Sequence, residues 1–372
     1  MKVSFIRGAY LNNFEGQNFD FSNQSDIEFS GYSSLFPIDS TVPFNITRLA
    51  SISDIQTIPI ASDIIRYIAN RTLGDSQILF GMEKYITSSD IVHIADPHYY
   101  YSYQAAWIRK KGQIKKLVST WWETIPFNNE GTAAKKRIKK FTMENTDMFL
   151  CYTEKARNCM LEEGVDGNKI AVIPLGVDTR IFKPAQQWDE KRTLLFVGRL
   201  VEEKGILDLY QAFKRIIKLD HEVKLRIIGS GPLESFLRQS IAHDDLSDSI
   251  SIERKTYKEM PLVYQQSDIF CVPSKKTVTW EEQYGMVFIE AMASGLPIVS
   301  YETGAIPEVV GDCGLYAKIG DVESLSSTII QIIKARELRV KLGTMGRVRA
   351  ENKYDSQKTA ANILKFYESL CK

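Results

Sequence analysis

The strongest constraint in this chain is a rhythm: short apolar runs alternate with amphipathic stretches, in two series divided by one irregular segment. In the first series Val3–Ile6, Ile27–Ser30, Ile91–Ile94, Lys116–Thr120, Met148–Cys151 and Ile170–Ile173 read as strands. Stretches such as Ile60–Ala69 and Ala133–Met143 carry the i, i+4 apolar spacing of helices. The segment "IPLGVDTRIFKPAQQWDEKR", with two prolines and a polar run, breaks the pattern near Pro184. The second series then restarts. Strand "TLLFVG" leads through "RLVEEKG" to a helix over Ile206–Leu219, and "VKLRIIG" leads through "SGP" to a helix over Leu233–Ala242. Strands near Ile250–Ile252 and Ile269–Val272, then "PIVS", then helices from Val322 follow.

Strand–helix alternation with short loops implies parallel sheets covered by helices on both faces. The expected fold class is α/β, with two doubly wound Rossmann-like domains facing across a cleft. A chain of 372 residues exceeds one ordinary core, which agrees with two. The expected division is residues 1–184, residues 185–354, and a terminal helix over 355–372 that crosses back to the first domain. Ligands of such sheets bind outside the carboxyl ends of the strands, and a cleft between two domains is the default site.

Composition removes several classes. With 44% apolar and 25% charged residues and a formal charge of +1, nothing global favours nucleic-acid binding. Five cysteines without CxxC spacing point to a reduced, cytoplasmic protein without structural zinc. The N-terminus reads as a strand and its loop, and no apolar run is long enough to span a bilayer. Charge is nevertheless uneven. Between Trp107 and Lys140 stand ten basic residues against Glu123 and Glu130. A solvated helix face is the plain reading of "KKRIKK"; attraction to the inner face of an anionic membrane, by a peripheral protein, is the sharper one.

Several turns could carry chemistry. "VGRLVEEKG" leaves a strand at Gly198 and enters a helix after Gly205, so Arg199 and Lys204 would sit at the sheet's carboxyl edge beside a helix N-terminus. Two fixed cations and a dipole end suit a diphosphate, although an ordinary strand–helix turn reads similarly. "GSGP" is neither GxGxxG nor a P-loop, which argues against a dehydrogenase or a kinase. In "EEQYGMVFIEAMASGLPIVS", Glu282 precedes a helix that starts just after Gly285, and Glu290 lies about one turn inside it. A buried lone carboxylate is costly, so Glu290 needs a partner: a ligand's hydroxyl groups, or an Arg or Lys elsewhere. "TGAIPEVV" offers another glycine loop at a strand's carboxyl end, on the same sheet edge. In the first half, "HIADPH" places Asp96 and His98 beyond a strand. "WWETIP" sets Trp121 and Trp122 side by side before Glu123. On an alternating strand one tryptophan faces inward and the other outward, as core packing or as a sugar- or lipid-facing surface. No histidine pair forms a metal site and no Asp-x-Asp exists, so a metal clamp on a diphosphate is not expected.

These motifs together resemble those of the retaining family 4 glycosyltransferases. "EEQYGMVFIEAMASGLPIVS" resembles their E-x7-E signature and "VGRLVEEKG" their phosphate loop. "TGAIPEVVGDCGLYAKIGD" resembles their Gly-Gly-x-Pro-Glu tract, with Ala305 where a second glycine is common. "CYTEKARNCMLEEGVDGNKIAVIPLGVDTRIFKP" resembles the close of their N-terminal domain. The resemblance implies the GT-B architecture, a nucleotide-sugar donor on the C-terminal domain and a glycan or lipid-linked acceptor on the N-terminal one, with no cofactor. It implies that Gly198, Arg199 and Lys204 bind the diphosphate, that Glu290 holds the ribose hydroxyls and that Glu282 contacts the transferred sugar. The amides of Tyr284, Gly285, Met286 and Val287 would cap the phosphate. His98 is similar to the family's N-domain histidine at the reacting centre, although Ala95 replaces a neighbouring histidine of that motif. Asp96, Trp121, Trp122 and Glu123 remain acceptor-side candidates. The resemblance further implies front-face attack, with the departing phosphate taking the acceptor's proton. Two competing readings use the same fold: a non-catalytic nucleotide-sugar-binding or membrane-docking protein, and a sugar-nucleotide epimerase.

Overall fold

The computed structural model describes residues 1–57, 59–186 and 192–372. It divides into two units, Met1–Leu175 with Ser356–Lys372, and Gly176–Asp355. The chain therefore leaves the first unit at Leu175, before the proline segment around Pro184, and the terminal helix Ser356–Cys371 groups with the first unit.

The first unit is built on seven parallel strands: β1 (Lys2–Gly8), β2 (Glu28–Ser33), β3 (Asn45–Arg48), β4 (Ile91–Ile94), β5 (Lys116–Trp121), β6 (Met148–Cys151) and β7 (Ile170–Val172). Their order is β3-β2-β1-β4-β5-β6-β7. The order reverses between β1 and β4, the position where doubly wound sheets open a crevice for ligands. β3 has no counterpart in the sequence reading, because "NITR" is too short and too polar to announce itself as a strand. Central strand β4 is buried at every residue, and β1 at all but its first. One face carries an aromatic layer in which Phe5, Phe19 and Phe29 lie within 5.8 Å of one another, centroid to centroid. Tyr367 of the terminal helix joins it, with its hydroxyl 2.6 Å from His93 Nδ1.

The second unit has six parallel strands: β8 (Thr193–Val197), β9 (Lys224–Ile228), β10 (Ile250–Glu253), β11 (Ile269–Cys271), β12 (Ile298–Tyr301) and β13 (Gly314–Ala317), in the order β10-β9-β8-β11-β12-β13. Its reversal falls between β8 and β11. Helix Ile206–Ile216 shows why the pattern folds so. Ile206, Leu209, Tyr210, Phe213 and Ile216, spaced three and four apart, are all buried. Each fully buried side chain of this kind contributes about 1.5–3 kcal/mol. Helix Val322–Lys334 starts where the Asp321 carboxylate accepts the Glu323 and Ser324 amides.

The basic 107–140 segment behaves differently from its charge count. Arg109 pairs with Asp147, Lys115 with Asp90, Lys136 with Glu130 and Lys140 with Glu144. Lys139, only 3% exposed, is held between Glu130 and Glu163. Half of the ten cations are thus met by acids, most of them outside the counted window. Among the described residues no helix is long and apolar enough to cross a membrane.

Candidate functional site

In the second unit the loops after β8, β11 and β12 lie side by side on one sheet edge, because those strands are neighbours. The first loop turns through Gly198, then a 3-10 turn over Glu202–Lys204, then Gly205 at φ 70° before helix Ile206–Ile216. Lys204 therefore precedes the α-helix by a short separate turn rather than standing at its first residue. A Cβ on Gly205 would fall 1.9 Å from the Pro273 carbonyl oxygen, so only glycine lets this loop close on the one after β11.

That contact brings the charges together. Lys204 Nζ lies 2.5 Å from Glu282 Oε2, with the two side chains 15% and 9% exposed. Ser274 Oγ donates to the same oxygen at 3.0 Å. Arg199 is exposed and makes no ion pair among the described residues. Gly304, at φ 57°, passes over the Glu282 backbone, where a Cβ would meet the Glu282 carbonyl at 2.2 Å. The Ala305 amide donates to that carbonyl at 2.8 Å. The loop after β12 thus fixes the acid's backbone while the loop after β8 fixes its carboxylate.

Gly285, at φ 81°, opens helix Met286–Ala293. Gly285, Met286 and Val287 are half-buried and Tyr284 is buried. The first amides of a helix have no partner within it, which leaves this N-terminus able to accept an anion. Glu290 is 5% exposed, and its partner is neither an Arg nor a Lys. Tyr264 Oη donates to Glu290 Oε2 at 2.7 Å. Burial pushes the Glu290 carboxyl up from 4.5 to about 7, and the tyrosine hydrogen bonds only partly offset this. A raised pKa means that the folded chain keeps a proton which the unfolded chain has released. Stability from this group is full below about 4.5 and is lost as pH rises through about 7. Glu290→Gln should flatten that part of the pH profile, by a difference on the order of 1–3 kcal/mol between pH 5 and pH 8. Urea midpoints of wild type and variant that run parallel across that range would refute it.

In the first unit His98 follows β4 and is half-buried, its ring 4.3 Å from that of Tyr99. Burial, with Lys135 and Lys139 nearby, pushes its pKa down to about 3, so it stays a neutral imidazole. Asp96 accepts the Trp122 amide at 3.0 Å, and burial raises its carboxyl to about 7. Trp122 is half-buried, its ring 4.5 Å from that of Tyr152. Two acceptor-side expectations need correction. Trp121 is 1% exposed within the cluster around Phe149, Cys159 and Met160, so it is core. The Glu123 carboxylate is taken up by four donors: the Thr124 and Ile125 amides and the Asn128 and Asn129 side chains, at 2.8–3.1 Å. It holds a loop in which Phe127 and Asn129 have positive φ.

The same sheet edge holds a network that sequence reasoning missed. Arg7, 1% exposed, binds both oxygens of Glu15 at 2.9 and 3.0 Å and Thr120 Oγ1 at 2.7 Å. Tyr152 Oη donates to Glu15 at 2.7 Å, and His93 Nε2 meets Thr120 at 2.9 Å. The available signal was a lone arginine at the end of the otherwise apolar strand "VSFIRG", since a buried arginine must be paired. Among the described residues no group of three or more His, Cys, Asp or Glu is placed to hold a metal ion.

Comparison with known proteins fits this geometry. The family model described as glycosyl transferases group 1 matches residues 178–349, and that described as Glycosyltransferase Family 4 matches residues 63–181. The MMP alpha-(1->4)-mannosyltransferase of Mycolicibacterium hassiacum is 26% identical over 269 residues, 70% of this chain and 63% of that protein. A GDP-mannose-dependent monoacylated alpha-(1-6)-phosphatidylinositol monomannoside mannosyltransferase of Corynebacterium glutamicum is 31% identical over 195 residues, 48% of this chain and 51% of that protein. The chain thus spans less than two thirds of the length of these relatives. The crystal structure of Anabaena Alr3699/HepE in complex with UDP and glucose superimposes with a TM-score of 0.75 at 14% identity, covering 99% of this chain and 100% of that one. Matched from residue 63 to residue 349 by the two successive domain models of one enzyme class, and sharing its two-sheet GT-B architecture, the chain belongs to the family 4 glycosyltransferases.

Proposed function

We propose that the chain is a retaining hexosyltransferase that moves a sugar from a nucleotide-sugar to a hydroxyl of a glycan or lipid-linked acceptor, without a metal. The observation that supports this most is the Lys204–Glu282 pair, set beside exposed Arg199 and the N-terminus of helix Met286–Ala293. Breaking the anomeric bond leaves positive charge on the sugar and negative charge on the diphosphate. Lys204, Arg199 and the first amides of that helix are arranged to meet the second, and Glu282 to face the first. In this reading the bond from the anomeric carbon to phosphate breaks, the acceptor oxygen bonds the same face, and its proton passes to the departing phosphate oxygen. Glu290, its carboxyl pushed up to about 7, can in its protonated form both donate to and accept from ribose hydroxyls. His98, kept neutral by its surroundings, can hydrogen-bond a sugar without adding charge to the reacting centre.

One relative named above is described as GDP-mannose-dependent and one similar structure holds UDP and glucose, so both bases are in range. A thermal-shift screen of UDP-, GDP- and ADP-sugars should find one that adds about 2.7 kcal/mol of stability at 100 times its dissociation constant. Lys204→Ala should lose that shift. No shift with any sugar nucleotide would remove the reading. A donor that binds but turns over with no acceptor tried would favour the non-catalytic alternative. Membrane attraction through residues 107–140 is a smaller part of the proposal, since half of that charge is already paired.

A further inference from the structure

Between β11 and helix Met286–Ala293 the chain makes a projecting turn, "KKTVTW", that the donor-site motifs do not account for. It is firmly built. At its base the Lys275 amide donates to the Glu203 carbonyl at 2.8 Å, and Lys275 Nζ lies 2.6 Å from Asp208 Oδ1. Lys276 pairs with the buried Glu281 at 3.1 Å. The Thr277 amide closes the turn on the Trp280 carbonyl at 2.8 Å. Its tip is solvent: Val278 is 91% exposed.

This construction holds one aromatic ring in place. Trp280 is half-buried, two residues before Glu282, and Lys204 Nζ stands 5.2 Å from its ring centroid. The same ammonium is 2.5 Å from Glu282 Oε2. A flat apolar ring and a carboxylate therefore flank one ammonium. A hexopyranose presents matching chemistry, with a face of polarised C–H bonds that stacks on an electron-rich ring and a rim of hydroxyls that bind charged groups. The diphosphate itself offers nothing for the ring to stack on, and a base that stacked there would weaken bare and sugar-linked nucleotide alike when the ring is removed. Support of Lys204 by cation–π attraction alone is the other use of such a ring, since the ammonium lies within the roughly 6 Å over which that attraction acts.

We propose that Trp280 is a specificity-determining contact for the transferred sugar, stacking on its C–H face while Glu282 takes its hydroxyls. The proposal rests on the donor-site reading above. Isothermal titration would compare UDP with UDP-glucose, and GDP with GDP-mannose, on wild type, Trp280→Ala and Trp280→Phe. The pair that the wild type binds is the one that decides. Trp280→Ala should bind the bare diphosphate within about twofold of wild type and the sugar conjugate at least tenfold more weakly. Trp280→Phe, which keeps a ring, should recover most of the loss and controls for folding. Equal weakening of diphosphate and conjugate would show that Trp280 acts through Lys204 and overturns the proposal, as would no effect on either. If the wild type binds neither of these pairs nor ADP and ADP-glucose, which would otherwise serve as the deciding pair, or if Lys204→Ala leaves diphosphate affinity intact, the donor-site reading itself fails.

Discussion

Lys204→Ala is expected to lower transfer by about 10²–10³-fold, the usual consequence of removing one preorganised donor from a developing negative charge. The same substitution should also destabilise the second unit. Lys204 and Glu282 share a hydrogen bond in a largely dry setting, so the deletion strands a carboxylate that is only 9% exposed. Breaking a buried pair costs about 3–5 kcal/mol, and the lower end applies where one partner keeps 15% exposure. A double substitution separates the two effects. Lys204→Met with Glu282→Gln leaves no unpaired charge, and the glutamine can still accept from Ser274 Oγ. It should regain most of the stability and none of the activity. A double variant that regains activity, or a single variant that turns over like wild type, would show that the pair is a structural clamp and not part of the donor site.

The largest effect on stability is expected in the first unit. Arg7→Met should cost about 3–5 kcal/mol, because it leaves the Glu15 carboxylate, 3% exposed, without its cation. It also removes the donor to Thr120, which in turn meets His93. Arg7→Met with Glu15→Gln should recover a large share of this, since no charge is then buried alone. Urea unfolding of the two variants is the measurement. A single variant within about 1 kcal/mol of wild type would mean that water or a shifted side chain replaces the guanidinium.

What could be read from the sequence, and what could not, follows from the range of each signal. Alternation of apolar runs is local, so most strands of both sheets were legible, within a few residues. The two that were not, β3 as "NITR" and β13 as "GLYA", are four-residue edge strands with no β-branched apolar run to mark them. The pairing of Lys204 with Glu282 depends on two loops that are distant in sequence and meet because β8 and β11 are neighbours. The fold class implied that meeting; the contact itself rests on Gly205 fitting against Pro273. Partner identity was the weakest inference. The partner that the protein supplies to Glu290 is a tyrosine hydroxyl and not the Arg or Lys that was the alternative to a ligand. Glu123 was an acceptor-side candidate and instead gathers four donors. Half of the ten cations of residues 107–140 are met by acids, and all of those acids but Glu130 lie elsewhere in the chain, beyond the reach of a local charge count.

The terminal helix Ser356–Cys371 makes the first unit discontinuous, and this orders the events of synthesis. Residues 1–175 leave the ribosome before residues 176–355, yet their aromatic layer lacks Tyr367, and His93 lacks its Nδ1 partner, until helix Ser356–Cys371 emerges. The second unit is contiguous over Gly176–Asp355 and can finish folding before that. The usual N-to-C order, in which the leading domain is complete first, is therefore inverted here. The unit whose strands are made earlier is completed by a helix made after the whole of the other unit.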